Sequence, residues 1–279
     1  MPLLFKRTKH KAQFFRERLS ETVSLDMTLI PSGTFLMGSP ENEIDRLQNE
    51  NPQHSATIPS FCMGKYPITQ AQWRVVANLT PVKQEINPKP SKFSGDDLPV
   101  ERVSWFDAQE FCARLSNLTK RQYRIPSEAE WEYACRAGTT SPFHFGETIS
   151  TDLANYRGID NEQSKKPGAY GRGSTGVYRE QTTPVGSFTP NNFGLYDMHG
   201  NVWEWCTDCR QDNYEGALID GSAWIDSSPD RTTRRILRGG SWINTPQNCR
   251  SAHRGCNSPP DNRLDYFGFR VVCTVTKAG

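Results

Sequence analysis

This chain of 279 residues lacks the sequence features that identify a membrane protein or a secreted protein. No apolar run approaches the roughly 20 residues that a membrane-spanning helix needs. Leu3-Leu4-Phe5 is too short for the apolar region of a secretory signal peptide. The sequence therefore predicts a cytoplasmic protein without a membrane span, and its eight cysteines are expected to be mostly reduced.

Common catalytic and metal-binding patterns are also missing. Cys206 and Cys209 have C-x-x-C spacing, but no second pair accompanies them at zinc-like spacing. Buried free thiols are therefore favoured over a zinc or redox site. The five histidines are scattered, and neither a Ser-His-Asp arrangement nor a phosphate-binding loop with a lysine is visible. The net charge of +2 indicates no particular partner, and no nucleic-acid partner is expected.

The composition indicates one large domain or two small ones with many turns, because 21 glycines and 19 prolines accompany a hydrophobic content of 35%. A basic segment over residues 1–22 precedes the domain, which is assigned to residues 23–279. Phe15 and Leu19 are four residues apart and could share a helical face. This spacing favours a leader helix packed on the domain over a docking arm for an acidic partner or a membrane surface.

Local signals place several elements along the domain. Residues 27–39 resemble two strands joined by a Pro-Ser-Gly turn, which predicts a hairpin. Thr69, Ser104 and Ser127 are predicted helix N-caps, and Glu130 completes a capping box with Ser127. Residues 139–182 carry few regular signals, and a loop of this length is unusual unless it is functional or held by an ion.

The most informative stretch runs from Arg238 to Cys273, where two kinds of position alternate. Anchor positions include the Gly239-Gly240 pair, the segment 249–252 and the closing segment 268–272. The residues between them follow no period and are rich in turn formers, so they are predicted to lie on exposed loops, where recognition usually occurs. These fourteen variable-position residues are Ile243, Asn244, Thr245, Gln247, Asn248, His253, Gly255, Cys256, Asn257, Ser258, Leu264, Asp265, Tyr266 and Phe267.

The anchors carry a family resemblance. The motifs RGGSW, CRSA-R, P-DNR and GFRVV resemble the C-terminal end of the formylglycine-generating enzyme, or sulfatase-modifying factor, family. The resemblance extends over residues 27 to 273 and implies an α+β domain, a variant of the C-type lectin fold with much irregular structure. Within the family, the pattern is most similar to the variable proteins of diversity-generating retroelements. In those proteins, adenine-directed mutagenesis rewrites codons, typically those of asparagine, within a segment that here spans about 238–273.

The variable-position residues fit this mechanism with one exception. Asn244, Asn248 and Asn257 remain asparagine, and the other residue types except glutamine can arise from an asparagine codon when its adenines change. Gln247 needs a different template codon. An ordinary irregular loop is the alternative interpretation of the segment.

The resemblance also predicts the state of a catalytic site. Formylglycine-generating enzymes are copper-dependent oxidases that use two cysteines after the GGS motif, since thiolates are soft ligands that select Cu(I). Aligned on Gly239-Gly240-Ser241, the second cysteine falls on Cys249 and the first on Asn244. An amide oxygen cannot replace a thiolate there, so no copper and no catalytic residues are expected.

A calcium site is the remaining metal prediction. Asp197 and Glu204 flank backbone carbonyls, and such hard oxygen ligands suit Ca²⁺. The resemblance implies a structural calcium held by Asp197, Gly200, Val202 and Glu204. The alternative is an aspartate-capped turn in which Glu204 forms a salt bridge with an arginine.

These observations predict a non-catalytic protein that binds an unknown protein or other ligand through a diversified surface. A divergent oxidase acting on protein cysteine and a non-variable interaction domain in signalling are the alternatives. Asn244 argues against the oxidase. A template repeat beside a reverse-transcriptase gene in the neighbouring DNA would separate the diversified protein from the non-variable domain.

Overall fold

The computed structural model describes residues 11–225 and 232–275, except the side chains of residues 256 and 257. Its helices are α1 (Gln70–Ala77), α2 (Trp105–Thr119) and α3 (Glu128–Arg136). Its strands are β1 (Phe14–Arg18), β2 (Ser24–Ile30), β3 (Gly33–Met37), β4 (His54–Ile58), β5 (Phe61–Gly64), β6 (Tyr123–Arg124), β7 (Trp203–Cys209), β8 (Arg235–Arg238), β9 (Gly255–Ser258), β10 (Phe267–Gly268) and β11 (Val272–Thr274). Short 3₁₀ helices lie at Gln48–Glu50 and Pro246–Cys249.

The strands in the described ranges form three sheets. One has five strands in the order β1-β2-β5-β11-β6, and another has four in the order β10-β7-β8-β9. Strands β3 and β4 form the third. All pairings are antiparallel except that of β10 with β7. The architecture is therefore α+β, as the sequence predicts.

Two local expectations are wrong. The hairpin predicted over residues 27–39 does not form, because β2 pairs with β1 and β5 whereas β3 pairs with β4. Pro31 and Ser32 lead the chain from one sheet into another. The helix predicted near the N-terminus is replaced by β1, where Phe15 lies opposite Met27 and Arg16 opposite Asp26. Tertiary pairing with β2 satisfies its backbone groups and overrides the helical spacing.

The predicted helix starts are confirmed. The side chains of Thr69, Ser104 and Ser127 each accept a hydrogen bond from the backbone N–H three residues later, and each helix has a complete capping box. Helix α3 ends at Ala137, which has a positive φ of 45° and precedes Gly138. Trp131 and Tyr133 are buried in the core, as their place in the helix pattern predicts.

The long stretch from α3 to β7 is held without helices or strands of its own. Phe143, Tyr156 and Tyr170 form a small apolar cluster with Cys249 of the C-terminal segment. The Tyr156 hydroxyl donates to the carbonyl of Ile149 at 3.2 Å. The stretch is thus packed against the segment that the sequence analysis singles out.

Buried ion pairs reinforce the apolar core. The guanidinium groups of Arg238, Arg250 and Arg270 are fully buried, and each contacts at least one buried glutamate. These arginines come from anchor positions of the C-terminal segment. The anchors therefore fix the segment by charge as well as by packing. No helix in the described part of the chain is both long enough and apolar enough to cross a bilayer.

Candidate ligand-binding surface

The C-terminal segment begins with a turn that only glycine accommodates. Gly239 and Gly240 have φ values of 95° and 71°. A Cβ on Gly240 would lie 2.6 Å from the Cys249 sulfur and 2.9 Å from the Asn248 carbonyl oxygen. Both the left-handed backbone and the close approach exclude other residues. The turn holds Trp242 and the following loop against the 3₁₀ helix at Pro246–Cys249.

The anchors after this turn attach the segment to the rest of the domain. Trp242, Cys249, Phe269 and Val271 are buried. Arg250 donates to the carbonyl of Asp45 at 2.8 Å. Arg254 and Arg270 likewise donate to loop carbonyls, those of Asn49 (2.6 Å) and Gly64 (3.0 Å).

The variable-position residues do not form the uniformly exposed surface that the sequence predicts. Leu264 is exposed, while Ile243, Asn244, Asn248, Gly255, Ser258, Asp265 and Tyr266 are half-buried. Thr245, Gln247, His253 and Phe267 are buried, so the expectation of exposure is wrong for these four. Cys256 and Asn257 have side chains outside the described part of the molecule.

Neighbouring elements explain the burial. The Gln247 amide donates to the carbonyls of Pro167 and Ala169 at 3.1 and 3.3 Å, in the long stretch before β7. The His253 ring packs against Trp203 with 5.7 Å between centroids. Burial lowers the pKa of His253 to about 3, so its imidazole is neutral at physiological pH. Phe267 lies opposite Trp203 in the parallel pair of β10 with β7.

Asn244 lies at the position expected for the first catalytic cysteine. Its side-chain oxygen accepts a hydrogen bond from the indole N–H of Trp203 at 2.8 Å and another from the Ser241 hydroxyl. Its backbone carbonyl accepts from the Arg157 N–H at 2.8 Å. The side-chain amide is therefore oriented by two neighbours, Trp203 and Ser241, while Arg157 holds the backbone.

Cys249, at the position expected for the second catalytic cysteine, is a fully buried thiol. Burial raises its pKa well above the ordinary value of a cysteine, although the backbone N–H of Ser241 partly offsets this. The backbone carbonyl of Cys249 contacts Nδ1 of His199 at 2.7 Å. A thiol in this state has little thiolate character and is a poor nucleophile or metal ligand.

An aromatic and charged cluster borders Asn244. Trp242 contacts Phe93 edge to face at 5.5 Å and stacks on Tyr178 at 6.1 Å. Lys92 forms an ion pair with Asp265 at 2.6 Å, and the guanidinium of Arg157 lies 4.9 Å from the Tyr178 ring centre.

Sequence reasoning missed Lys92, Phe93, Arg157 and Tyr178. They come from distant loops, and the signal pointing to two of them was the unusual length of residues 139–182.

The two carboxylates predicted to bind calcium differ in how their oxygens are hydrogen-bonded. Both carboxylate oxygens of Glu204 are bonded to Arg270, at 2.6 and 2.7 Å, and Oε2 also accepts from the Trp131 indole at 2.7 Å. The alternative salt bridge is thus present. Asp197 Oδ2 accepts from the Gly186 N–H at 2.8 Å, whereas its Oδ1 is buried with no hydrogen-bond partner. Burial raises the pKa of Asp197 to about 6.

A buried carboxylate oxygen without a partner fits a cation bound at Asp197. Gly200 and Val202 would supply carbonyl oxygens. Glu204 Oε1, which accepts one hydrogen bond from Arg270, would offer its second lone pair to the cation. Calcium at this site therefore stays a prediction.

We expect calcium to raise the melting temperature of metal-stripped protein, because a ligand that binds only the native state stabilises it by about 2.7 kcal/mol at a hundredfold excess over Kd. Differential scanning calorimetry with calcium and with chelator measures the effect. Asp197→Asn should abolish it, and the exposed Asp261→Asn should leave it unchanged. A melting curve that chelator does not change, in protein shown to start with metal bound, would contradict the prediction.

Comparisons with known proteins agree with this architecture. The family model of the sulfatase-modifying factor enzyme 1-like domain matches residues 14–275. PvdO from Pseudomonas aeruginosa has 32% sequence identity and a TM-score of 0.77, with 96% of this chain and 100% of PvdO covered. Treponema denticola variable protein 1 has 23% identity and a TM-score of 0.70, with 94% and 99% covered. This second likeness shows a shared fold, the C-type lectin variant that the resemblance implies.

A longer relative shares only one region with this chain. Serine/threonine-protein kinase Pkn1 of Chlamydia trachomatis is 30% identical over 269 residues, which cover 90% of this chain and 38% of the kinase. The chain thus spans little more than a third of the Chlamydia kinases that it matches.

Proposed function

The chain belongs to the sulfatase-modifying factor enzyme 1-like family, and we propose that it is a non-catalytic member that binds a ligand beside its C-terminal segment. The observation that carries the proposal is Asn244, which aligns with the first cysteine of a formylglycine-generating enzyme when the GGS motif is taken as the reference. Trp203 and Ser241 hold this amide in place. The pair of soft ligands that copper chemistry needs is reduced to one buried thiol, Cys249.

The ligand would contact the less buried part of the segment. Ile243, Leu264 and Tyr266 offer apolar and aromatic area, and aromatic residues are frequent energetic centres of interfaces. Arg157 lies beside the neighbouring ring of Tyr178 and adds positive charge, whereas the charge of Lys92 is paired with Asp265. This combination suits a protein or peptide ligand with an apolar side chain next to an acidic group.

The four buried variable-position residues reduce the number of positions that can contribute to the proposed ligand-binding surface. Thr245, Gln247, His253 and Phe267 make packing and hydrogen-bond contacts, so their exchange would alter the scaffold as well as the surface. Diversification, if it occurs, is therefore expected at Ile243, Asn248, Ser258, Leu264, Asp265 and Tyr266 before it is tolerated at the buried positions. A template repeat in the neighbouring DNA with adenines at these codons would establish it.

We expect the protein to form no aldehyde from a cysteine-containing peptide in the presence of copper and oxygen, since Asn244 provides no thiolate. Mass spectrometry of the peptide measures the product. Cys249→Ala is the background control, because it removes the remaining thiol of the pair. Aldehyde formed by the unaltered protein above this background would favour the divergent oxidase and overturn the proposal.

A further inference from the structure

Two cysteines face each other across neighbouring strands of the five-stranded sheet. Cys62 of β5 lies directly opposite Cys273 of β11 in the antiparallel register. The Gly64 N–H donates to the Val271 carbonyl at 2.8 Å, which makes Gly64 and Val271 a hydrogen-bonded pair. Because such pairs alternate along antiparallel strands, Cys62 and Cys273 are the next hydrogen-bonded pair.

This register brings the two thiols within bonding geometry. Directly opposed residues place their side chains on the same face of the sheet. The Cα atoms of a hydrogen-bonded pair are about 5.5 Å apart, inside the range of roughly 4.4–6.8 Å that a disulfide spans. Both thiols are free and buried. In the strand pairings of the described ranges, no other cysteine lies opposite a cysteine.

We propose that Cys62 and Cys273 form a modification site, a dithiol that a small-molecule disulfide such as oxidised glutathione converts into a cross-strand disulfide. The Cys62 thiol loses its proton and attacks one sulfur of the small disulfide, which releases one small thiolate. The Cys273 thiolate then attacks the Cys62 sulfur and displaces the second small thiolate. Two protein thiols lose two protons and two electrons, and the small disulfide is reduced to two thiols.

The surroundings indicate which thiol reacts first. The hydrogen bond with Cys273 and the positive charge of Arg121 hold the pKa of Cys62 below its ordinary value despite its burial. The hydrogen bond with Cys62 and burial raise the pKa of Cys273. Cys62 is also the less buried of the two thiols, 5% exposed against 1%, and we therefore assign the first attack to it. Thr274 and Val275, which directly follow Cys273, are exposed, and we expect the oxidant to approach from this end of β11.

The bond would tie the C-terminal strand to the sheet. Strand β11 follows Arg270, whose ion pair with Glu204 supports β7 beneath the candidate surface. Separation of β11 from β5 would expose Val272 and release Arg270 from the Gly64 carbonyl. An oxidised pair prevents this separation, so the site would couple redox conditions to the stability of the binding scaffold.

The experiment uses the whole protein incubated with oxidised glutathione and then alkylated under denaturing conditions. We expect the intact mass to fall by two hydrogen atoms before alkylation, and peptide mapping to recover one linked pair containing Cys62 and Cys273. Reduction with dithiothreitol should restore two alkylatable thiols. Cys273→Ser should instead retain a stable mixed disulfide on Cys62, while Cys209→Ser, at another buried thiol, should leave the crosslink unchanged.

Three outcomes would overturn the proposal. The linked peptides could contain a different pair of cysteines, both thiols could remain alkylatable after oxidation, or Cys62 and Cys273 could carry separate glutathiones. None of these results depends on a variant that folds, because each is seen with the unaltered chain. The test is also independent of the ligand-binding proposal.

Discussion

Replacement of Arg250 with methionine is expected to destabilise the protein by about 3–5 kcal/mol at neutral pH, because it leaves buried carboxylates without their partner. Arg250 binds both oxygens of Glu50, at 2.6 and 2.9 Å, and also contacts Glu43. All three side chains are almost completely buried. Urea denaturation measures the free energy of unfolding, and an unchanged m-value would show that both proteins unfold in the same manner.

The loss of folding stability caused by Arg250→Met should become smaller as the pH falls. Burial alone raises the pKa of Glu50, but the hydrogen bonds and charge of Arg250 outweigh it and hold this pKa below its ordinary value. A depressed carboxylate pKa contributes stability above the unfolded-state pKa, and this stability is lost in acid. Burial already holds the pKa of Glu43 above its ordinary value. Without Arg250, burial should raise the pKa of Glu50 and raise that of Glu43 further, so that protonation in acid relieves much of the penalty.

Arg16→Met is the matched control for this prediction. Arg16 also forms an arginine–carboxylate pair, with Asp26 at 2.7 Å, but its side chain is 62% exposed. Exposed pairs of this kind contribute about 0–1 kcal/mol. Equal losses for Arg16→Met and Arg250→Met, or a loss at Arg250 that does not vary with pH, would mean that the buried ion pair is not the cause.

Phe267→Ala is expected to cost about 3–5 kcal/mol, the usual range for removal of a buried phenylalanine. The Phe267 ring packs edge to face on Trp205 at 5.2 Å between centroids and belongs to the main apolar core. The combined variant Ile243→Ser, Ser258→Asn and Leu264→Ser should stay within about 1 kcal/mol of the unaltered protein, since these positions are more exposed. Thermal and urea unfolding of both variants provide the comparison.

The same variants test where a ligand binds. Peptides selected from a random displayed library on the unaltered protein should lose binding to the triple variant. They should retain binding to Leu36→Ser, which changes an exposed apolar residue on β3. If the triple variant is as unstable as Phe267→Ala, the surface is not exchangeable. If the selected peptides bind the triple variant unchanged, the ligand site lies elsewhere.

Signals local in sequence determined a substantial part of the fold. Each N-cap hydroxyl at Thr69, Ser104 and Ser127 reaches an N–H only three residues away, so its geometry follows from the sequence itself. The turn at Gly239-Gly240 likewise follows from the residues that form it, because both glycines have positive φ. The motifs that carry the family resemblance predicted the α+β architecture. They also predict that Asn244 occupies the position of the first catalytic cysteine.

Tertiary structure decided the pairing of strands and the exposure of the C-terminal segment. Residues 27–39 contain two strands with a suitable turn between them, but β2 and β3 pair with different partners because the gain from pairing depends on distant strands. The spacing of Phe15 and Leu19 suits a helix, but residues 14–18 form a strand because they pair with β2. The opposition of Cys62 and Cys273 likewise exists only in the assembled sheet.

Burial at the candidate surface was decided in the same way. Gln247 and His253 look exchangeable in the sequence, yet the carbonyls of Pro167 and Ala169 and the ring of Trp203 cover them. Lys92 and Tyr178 join the surface from loops that no local pattern connects to it. The sequence by itself specified where the chain turns and which residues anchor it, because these depend on neighbours along the backbone. The exposure of each side chain depends on how elements far apart in sequence pack together, so only the tertiary structure determines it.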